Sequence, residues 1–267
     1  MEADIKSVDT KIYETVYYEN NGYKLKAYLS RPAGRGPFPL FFWIHGSEKK
    51  VVYHHTFAQF WVDHGFIFFK PMRSGHDVNP GKYILDDTKE IIKKGLSGKE
   101  KDREMVKLHE RANNDVIAAL KFAKKLACAD LNRIVVAGGS LGGIQTLFTA
   151  EKDVLNGLGI KCFIAMAPGF YTFQKWLAER LPQAVKKTKK PIFILQAEND
   201  YTLFAKEALF PVIDAKGFPN RSKLFPVHIK PGEDINDHSF GHQKFYLDPS
   251  AWQDEVIDFL KDCGILN

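Results

Sequence analysis

The stretch Arg133 to Gln145, "RIVVAGGSLGGIQ", runs an apolar segment into four glycines around one serine, then into a helical pattern. Glycines between a strand and a helix can cradle a phosphate, aim a nucleophile or ease close packing. A phosphate loop needs G-x-x-x-x-G-K-[ST]; Gly138 and Gly143 have the spacing, but Ile144 and Gln145 follow. The dinucleotide fingerprint G-x-G-x-x-G fails because Ser140 stands where its second glycine belongs. Gly138-Gly139-Ser140-Leu141-Gly142 does satisfy G-x-S-x-G, which places a serine at the tip of a sharp strand-to-helix turn. A Cβ two residues before or after that serine would collide across the turn, so Gly138 and Gly142 are the turn glycines. Ser140 Oγ then projects above the sheet, and the Leu141 amide at the helix N-terminus faces a developing oxyanion.

Outward from this turn, strand and helix patterns alternate. "LFFWIHG" is apolar throughout, as expected of a strand covered on both faces. "FIFFKPM", "KCFIAMAP", "PIFILQAEND" and "KLFPVHIKP" read as further strands. The intervening helices are "TFAQFWVDHG", "EMVKLHERANNDVIAALKFAKKL", "IQTLFTAEK", "FQKWLAERLPQAVKK" with a break near Pro182, "KEALFPVIDAKG" interrupted near Pro211, and "SAWQDEVIDFLKDCG". About six β-α units in series imply a mostly parallel sheet with helices on both faces. Before them, "KIYETVYYE" and "YKLKAYLSRP" meet at Asn21-Gly22, a pair that favours a tight antiparallel hairpin. No Ser/Pro-rich linker or internal repeat divides the series, so one domain over 1–267 is expected. Its main departure is the polar segment 77–102, read as a flap over a site or as a surface loop.

A nucleophile turn predicts an acid and then a histidine, each in a loop after a later strand. After "PIFILQ", "AENDYTL" offers Glu198 and Asp200, and Asp200 is preferred because Glu198 is closer to the strand end. After "KLFPVHIKP", "GEDINDHSFGH" offers His238 and His242. His238 is preferred because His-Ser-Phe leaves the imidazole in the loop with an apolar neighbour to pack. A second oxyanion donor is expected from "IHGSE", as the backbone amide of Ser47, or of Glu48 if the turn is one residue longer. His45 reads there as a turn residue.

The composition excludes several other classes. The 267 residues carry 38 Lys and Arg against 32 Asp and Glu, a net charge of +6. These charges are mixed along the chain, and the densest run, "KKTKK" at 186–190, reads as a solvated turn, so no nucleic-acid partner is expected. Cys128, Cys162 and Cys263 are odd in number and widely spaced, which fits neither a disulfide framework nor a CxxC site. His54-His55 and His64 lack a metal-ligand spacing such as HExxH, so no metal site is expected. "MEADIKSVDTK" is polar where a secretory signal would be basic then apolar, and no run reaches ~18 apolar residues. A cytoplasmic protein with no membrane partner is the expectation. Nothing in the sequence sets an oligomeric state.

With these motifs the chain resembles the α/β-hydrolase superfamily, and within it the serine members of the dienelactone hydrolase and prolyl-oligopeptidase-like group. "PLFFWIHGS", "PMRSGHDVNPGKYILD", "KLHERANNDVIAALKF", "VAGGSLGGIQTL", "PIFILQAENDYTL", "DHSFGHQKF" and "AWQDEVIDFL" carry the similarity over nearly the whole chain. The resemblance implies Ser140 as nucleophile, Asp200 as orienting acid and His238 as base, with no metal or organic cofactor. "PMRSGH" resembles the R-x-G loop after the fourth strand of these enzymes. Dienelactone hydrolases proper carry cysteine at the nucleophile position, so Ser140 points instead to a carboxylesterase acting on small-molecule esters. A peptidase or amidase, and a catalytically idle hydrolase fold serving as a binding protein, are the alternatives. The aromatic residues Phe170, Tyr171 and Trp176 are candidate pocket residues, and core packing explains them equally well.

Overall fold

The computed structural model describes residues 13–170, 174–234 and 236–267. Lys11, Ile12, Tyr171 and Phe173, which fall in the expected first strand, pocket and helix, lie outside the described residues. Eight strands form one sheet: β1 (Glu14–Asn20), β2 (Tyr23–Ser30), β3 (Phe38–Ile44), β4 (Ile67–Pro71), β5 (Ala129–Gly139), β6 (Cys162–Met166), β7 (Ile192–Ala197) and β8 (Arg221–Phe225). Their spatial order is β1-β2-β4-β3-β5-β6-β7-β8. β1 and β2 form the antiparallel hairpin around Asn21-Gly22, whose φ values of 49° and 76° explain the choice of residues. β2 pairs antiparallel with β4, and every pair from β4 to β8 is parallel.

The helices are α1 (His55–Asp63), α2 (Ile84–Lys93), α3 (Gly98–Ala123), α4 (Leu141–Asn156), α5 (Lys175–Lys187), α6 (Phe210–Asp214) and α7 (Gln253–Asp262). Strand periodicity sorts the apolar side chains into two layers. Leu40, Phe42 and Ile44 of β3, with Ile134 and Val136 of β5, pack with Val116 and Leu120 of α3, Leu147 of α4 and Leu181 of α5. Phe41 and Trp43, with Val135 and Ala137, pack on the other face with Phe57 and Trp61 of α1 and Phe259 and Leu260 of α7. Helices therefore cover both faces, as a parallel sheet of all-apolar strands requires. No helix among the described residues is long and apolar enough to cross a membrane.

Three elements differ from the sequence expectation. Helix α5 continues through Pro182 without ending, held by buried Trp176, Leu177, Leu181, Ala184 and Val185 on either side of it. Strand β8 stops at Phe225, ahead of Pro226, rather than running to Pro231, because proline cannot donate to a ladder. Segment 77–102 is largely helical: α2 occupies its middle and α3 begins at Gly98. Ile84 and Ile91, seven residues apart on one face of α2, are buried in the core and seat that helix. At Pro211 the expected interruption is present, as a π-helical segment Ala205–Leu209 that gives way to α6.

Candidate active site

Ser140 stands between β5 and α4 with φ 57° and ψ −123°, a left-handed conformation costly for a residue with a Cβ. Its neighbours make the turn sterically feasible. A Cβ on Gly142 would lie 1.9 Å from the Ile44 carbonyl oxygen and 2.7 Å from that of His45. On Gly138 it would lie 2.4 Å from the Gly142 oxygen, so both turn glycines are fixed by backbone on the far side. Gly139 leaves room for the Tyr246 ring, which a Cβ there would meet at 2.6 Å. The Ser140 amide donates to Met166 O at 3.0 Å, which ties the turn to the end of β6. Leu141 is the first residue of α4, where helical amides have no intrahelical acceptor.

His242, not His238, is the histidine that reaches Ser140. Its Nε2 lies 2.8 Å from Ser140 Oγ and its Nδ1 lies 2.7 Å from Asp200 Oδ1. A carboxylate only accepts, so Nδ1 carries the proton and Nε2 presents its lone pair to the serine hydroxyl. Asp200 is itself fixed: Oδ1 accepts from the Tyr201 amide at 2.7 Å, and Oδ2 accepts from Gln196 Nε2 at 2.9 Å. Gln196, buried at the end of β7, also donates to Thr202 O and accepts from the Lys206 amide, which closes the acid loop. The serine, histidine and aspartate are each under a tenth exposed.

The expected base, His238, is held at the acid loop instead. Its Nδ1 donates to Asn199 O at 3.0 Å, while the following π-helical segment, Phe240–Lys244, carries His242 inward. Gly241 permits this approach: a Cβ there would lie 2.3 Å from the Asn199 carbonyl carbon. A glycine immediately before a histidine was the available signal in "HSFGHQ".

Behind Ser140 the turn after β3 is tightly held. Arg73, 2% exposed, donates from Nη1 to His45 O at 2.8 Å and from Nη2 to Gly46 O. Burial lowers its pKa to about 10, which leaves the guanidinium charged at neutral pH. His45 accepts from the Arg73 amide through Nε2 and donates from Nδ1 to Gly46 O, so it is bound into the turn as expected. Ser47 and Glu48 line a cleft of about 220 Å³ with Tyr83, Leu85, Ser140, His242 and Tyr246. Tyr83 and Leu85 come from segment 77–102, which thus forms a wall of the cleft. Phe170 and Trp176 instead pack against the ring of buried His109. Among the described residues no group of three or more His, Cys, Asp or Glu side chains could hold a metal ion.

Two buried histidines near this region make stability sensitive to acid. Burial, aided by the Arg73 charge, lowers the pKa of both His76 and His109 to about 3. The folded chain thus binds fewer protons than the unfolded chain between about pH 6.5 and 3, and stability falls as pH drops through that window. Each group contributes up to about 1.4 kcal/mol per pH unit. Urea unfolding across the window should give a shallower pH slope for His109→Leu than for the wild type; parallel slopes would contradict a neutral buried imidazole.

Comparison with known proteins agrees with this architecture. The chain is 21% identical over 261 residues to dipeptidyl-peptidase 5 of Aspergillus oryzae, covering 85% of this chain. It spans a third of that relative's length (33%). Among solved structures, acetyl xylan esterase from Paenibacillus sp. R4 superposes with a TM-score of 0.63 at 15% identity, covering 96% of this chain and 86% of its own. A protein from Klebsiella pneumoniae subsp. pneumoniae MGH 78578 assigned as a dienelactone hydrolase gives 0.62 at 16% identity, covering 93% and 98%. These likenesses carry the α/β-hydrolase fold. The sequence model of acetyl xylan esterase (AXE1) matches residues 1–175, which include the turn after β3, Arg73 and Ser140. With two thirds of its length matched, the chain belongs to the acetyl xylan esterase (AXE1) family of esterase-type hydrolases.

Proposed function

We propose that this protein is a serine esterase that removes a short acyl group, acetyl above all, from small-molecule carboxylic esters. The observation that carries this is His242, hydrogen-bonded at once to Ser140 Oγ and to Asp200. In this reading Nε2 of His242 takes the Ser140 proton as Oγ attacks the ester carbonyl. Asp200, held by Gln196 and the Tyr201 amide, fixes the imidazole tautomer and stabilises the imidazolium. The amides of Leu141 and of Ser47 or Glu48 receive the oxyanion; losing one such donor costs ~3 kcal/mol in the barrier. His242 then passes its proton to the leaving alcohol, which breaks the ester bond and leaves acyl-Ser140. Water, deprotonated by His242, cleaves the acyl-enzyme and releases the carboxylic acid. This chemistry proceeds on side chains and backbone alone.

The size of the cleft supports a short acyl group. At about 220 Å³ it is smaller than the roughly 300–1,000 Å³ of sites that enclose drug-sized ligands. Family membership points to acetyl esters, including those on xylan. Purified protein should hydrolyse p-nitrophenyl acetate with kcat/KM on the order of tenfold or more above p-nitrophenyl octanoate. The similarity to a dipeptidyl-peptidase over 85% of the chain favours one second reading, an aminoacyl amide substrate. An aminoacyl p-nitroanilide turned over faster than the acetate would select that reading, and turnover of neither would leave a binding protein.

A further inference from the structure

Five consecutive carbonyls of the turn after β3 accept hydrogen bonds from one short segment, residues 73–83. Arg73 donates to His45 O and Gly46 O, the Tyr83 hydroxyl to Ser47 O, His76 Nδ1 to Glu48 O at 2.9 Å, and the Asp77 amide to Lys49 O at 2.7 Å. In a trans peptide the N–H points opposite to the C=O. Holding the carbonyls of 46 and 47 therefore aims the amides of Ser47 and Glu48 away from segment 73–83. Both residues line the cleft with Ser140.

We propose that Tyr83 and His76 are positioning residues for the oxyanion turn: the Tyr83 bond to Ser47 O holds the peptide that carries the Glu48 amide with that amide facing Ser140, and the His76 bond to Glu48 O fixes the next peptide and so keeps the turn from rotating. The inference rests on the esterase reading above and adds a role for segment 77–102. Asp77 and Tyr83 of that segment, with His76 just before it, clamp the turn rather than close over it. Tyr83 lies immediately before α2, whose Ile84 and Ile91 are buried, so the clamp is anchored in the core. The His76 ring is held edge-on between His45 and Tyr83, at 4.6 and 5.0 Å between centroids, which fixes the Nδ1 direction. With its pKa lowered to about 3 by burial, His76 is neutral, and Nδ1–H remains a donor across the working range.

Tyr83→Phe removes the hydroxyl and keeps the ring that walls the cleft. For p-nitrophenyl acetate its kcat should fall about tenfold with KM within twofold, a fraction of the loss from deleting a direct oxyanion donor. The inhibition constant of a boronic acid, which mimics the tetrahedral adduct, should rise by the same factor. For His76, Asn can restore a donor near Nδ1 and Leu cannot, so His76→Asn should retain more kcat than His76→Leu at matched thermal stability. A wild-type kcat and boronate affinity in Tyr83→Phe would overturn the proposal, as would equal kcat in the two His76 variants. If Ser140→Ala is inactive while Tyr83→Phe is unchanged, the clamp fails and the esterase reading stands. If Ser140→Ala keeps its activity, the esterase reading fails first.

Discussion

His242→Ala is expected to lower kcat/KM for an acetyl ester by about 10⁴-fold, whereas His238→Ala should stay within a few-fold of wild type. The two histidines are four residues apart, and both lie within hydrogen-bonding distance of the acid loop. Their partners differ in kind. His242 joins Ser140 Oγ to the Asp200 carboxylate, so in the proposed mechanism its loss removes the proton acceptor for the attack and the donor for the leaving alcohol. His238 donates to the backbone carbonyl of Asn199, a contact that steadies the loop and has no part in the proposed proton transfer. Steady-state kinetics on both variants, with circular dichroism to verify folding, checks the contrast. A larger loss in His238→Ala would reverse the assignment.

Gly142→Ala should be among the most destabilising single-methyl additions in the chain, costing at least about 3 kcal/mol or preventing folding. The added carbon would lie 1.9 Å from the Ile44 oxygen, and neither the first turn of α4 nor the end of β3 can retreat cheaply. Both elements lie in the packed centre of the sheet and also place Ser140 and the turn after β3. Gly98→Ala is the control: at the start of α3, nothing lies within 4 Å of the new carbon. That variant should fall within about 1 kcal/mol of wild type. Denaturant unfolding of the two proteins measures the difference, and similar midpoints would contradict the steric account.

Much of the architecture was legible because it rests on side-chain pattern. "LFFWI" and "RIVVA" are apolar on both faces, and their alternate residues do feed the two core layers. The serine turn was legible because steric demand selects glycine at 138 and 142. The boundary of β8 was not, because "VHIK" continues a strand-like pattern after Pro226. The choice of His238 over His242 rested on the apolar neighbour in His-Ser-Phe, whereas the π-helical segment Phe240–Lys244 that turns His242 inward leaves no periodic pattern to read. Helix α2 was obscured by the lysine and glycine content of 77–102; the spacing of Ile84 and Ile91 was its only strong apolar signal. The bonds from Arg73, His76 and Tyr83 to the turn after β3 terminate on backbone carbonyls, which leave no mark on the identity of residues 45–49. Gln196 behaves likewise: in sequence it is one polar residue ending an apolar strand, and its contact with Asp200 appears only when the loop is closed.

The central claim is that Ser140 is the nucleophile activated by His242. Treating the purified protein with a fluorophosphonate and mapping the adduct by tandem mass spectrometry tests it most directly. The account predicts one active-site adduct, on Ser140, absent from Ser140→Ala and strongly slowed in His242→Ala, with loss of acetyl-ester hydrolysis in step with labelling. An adduct on another residue, or undiminished labelling and hydrolysis in Ser140→Ala, would contradict it.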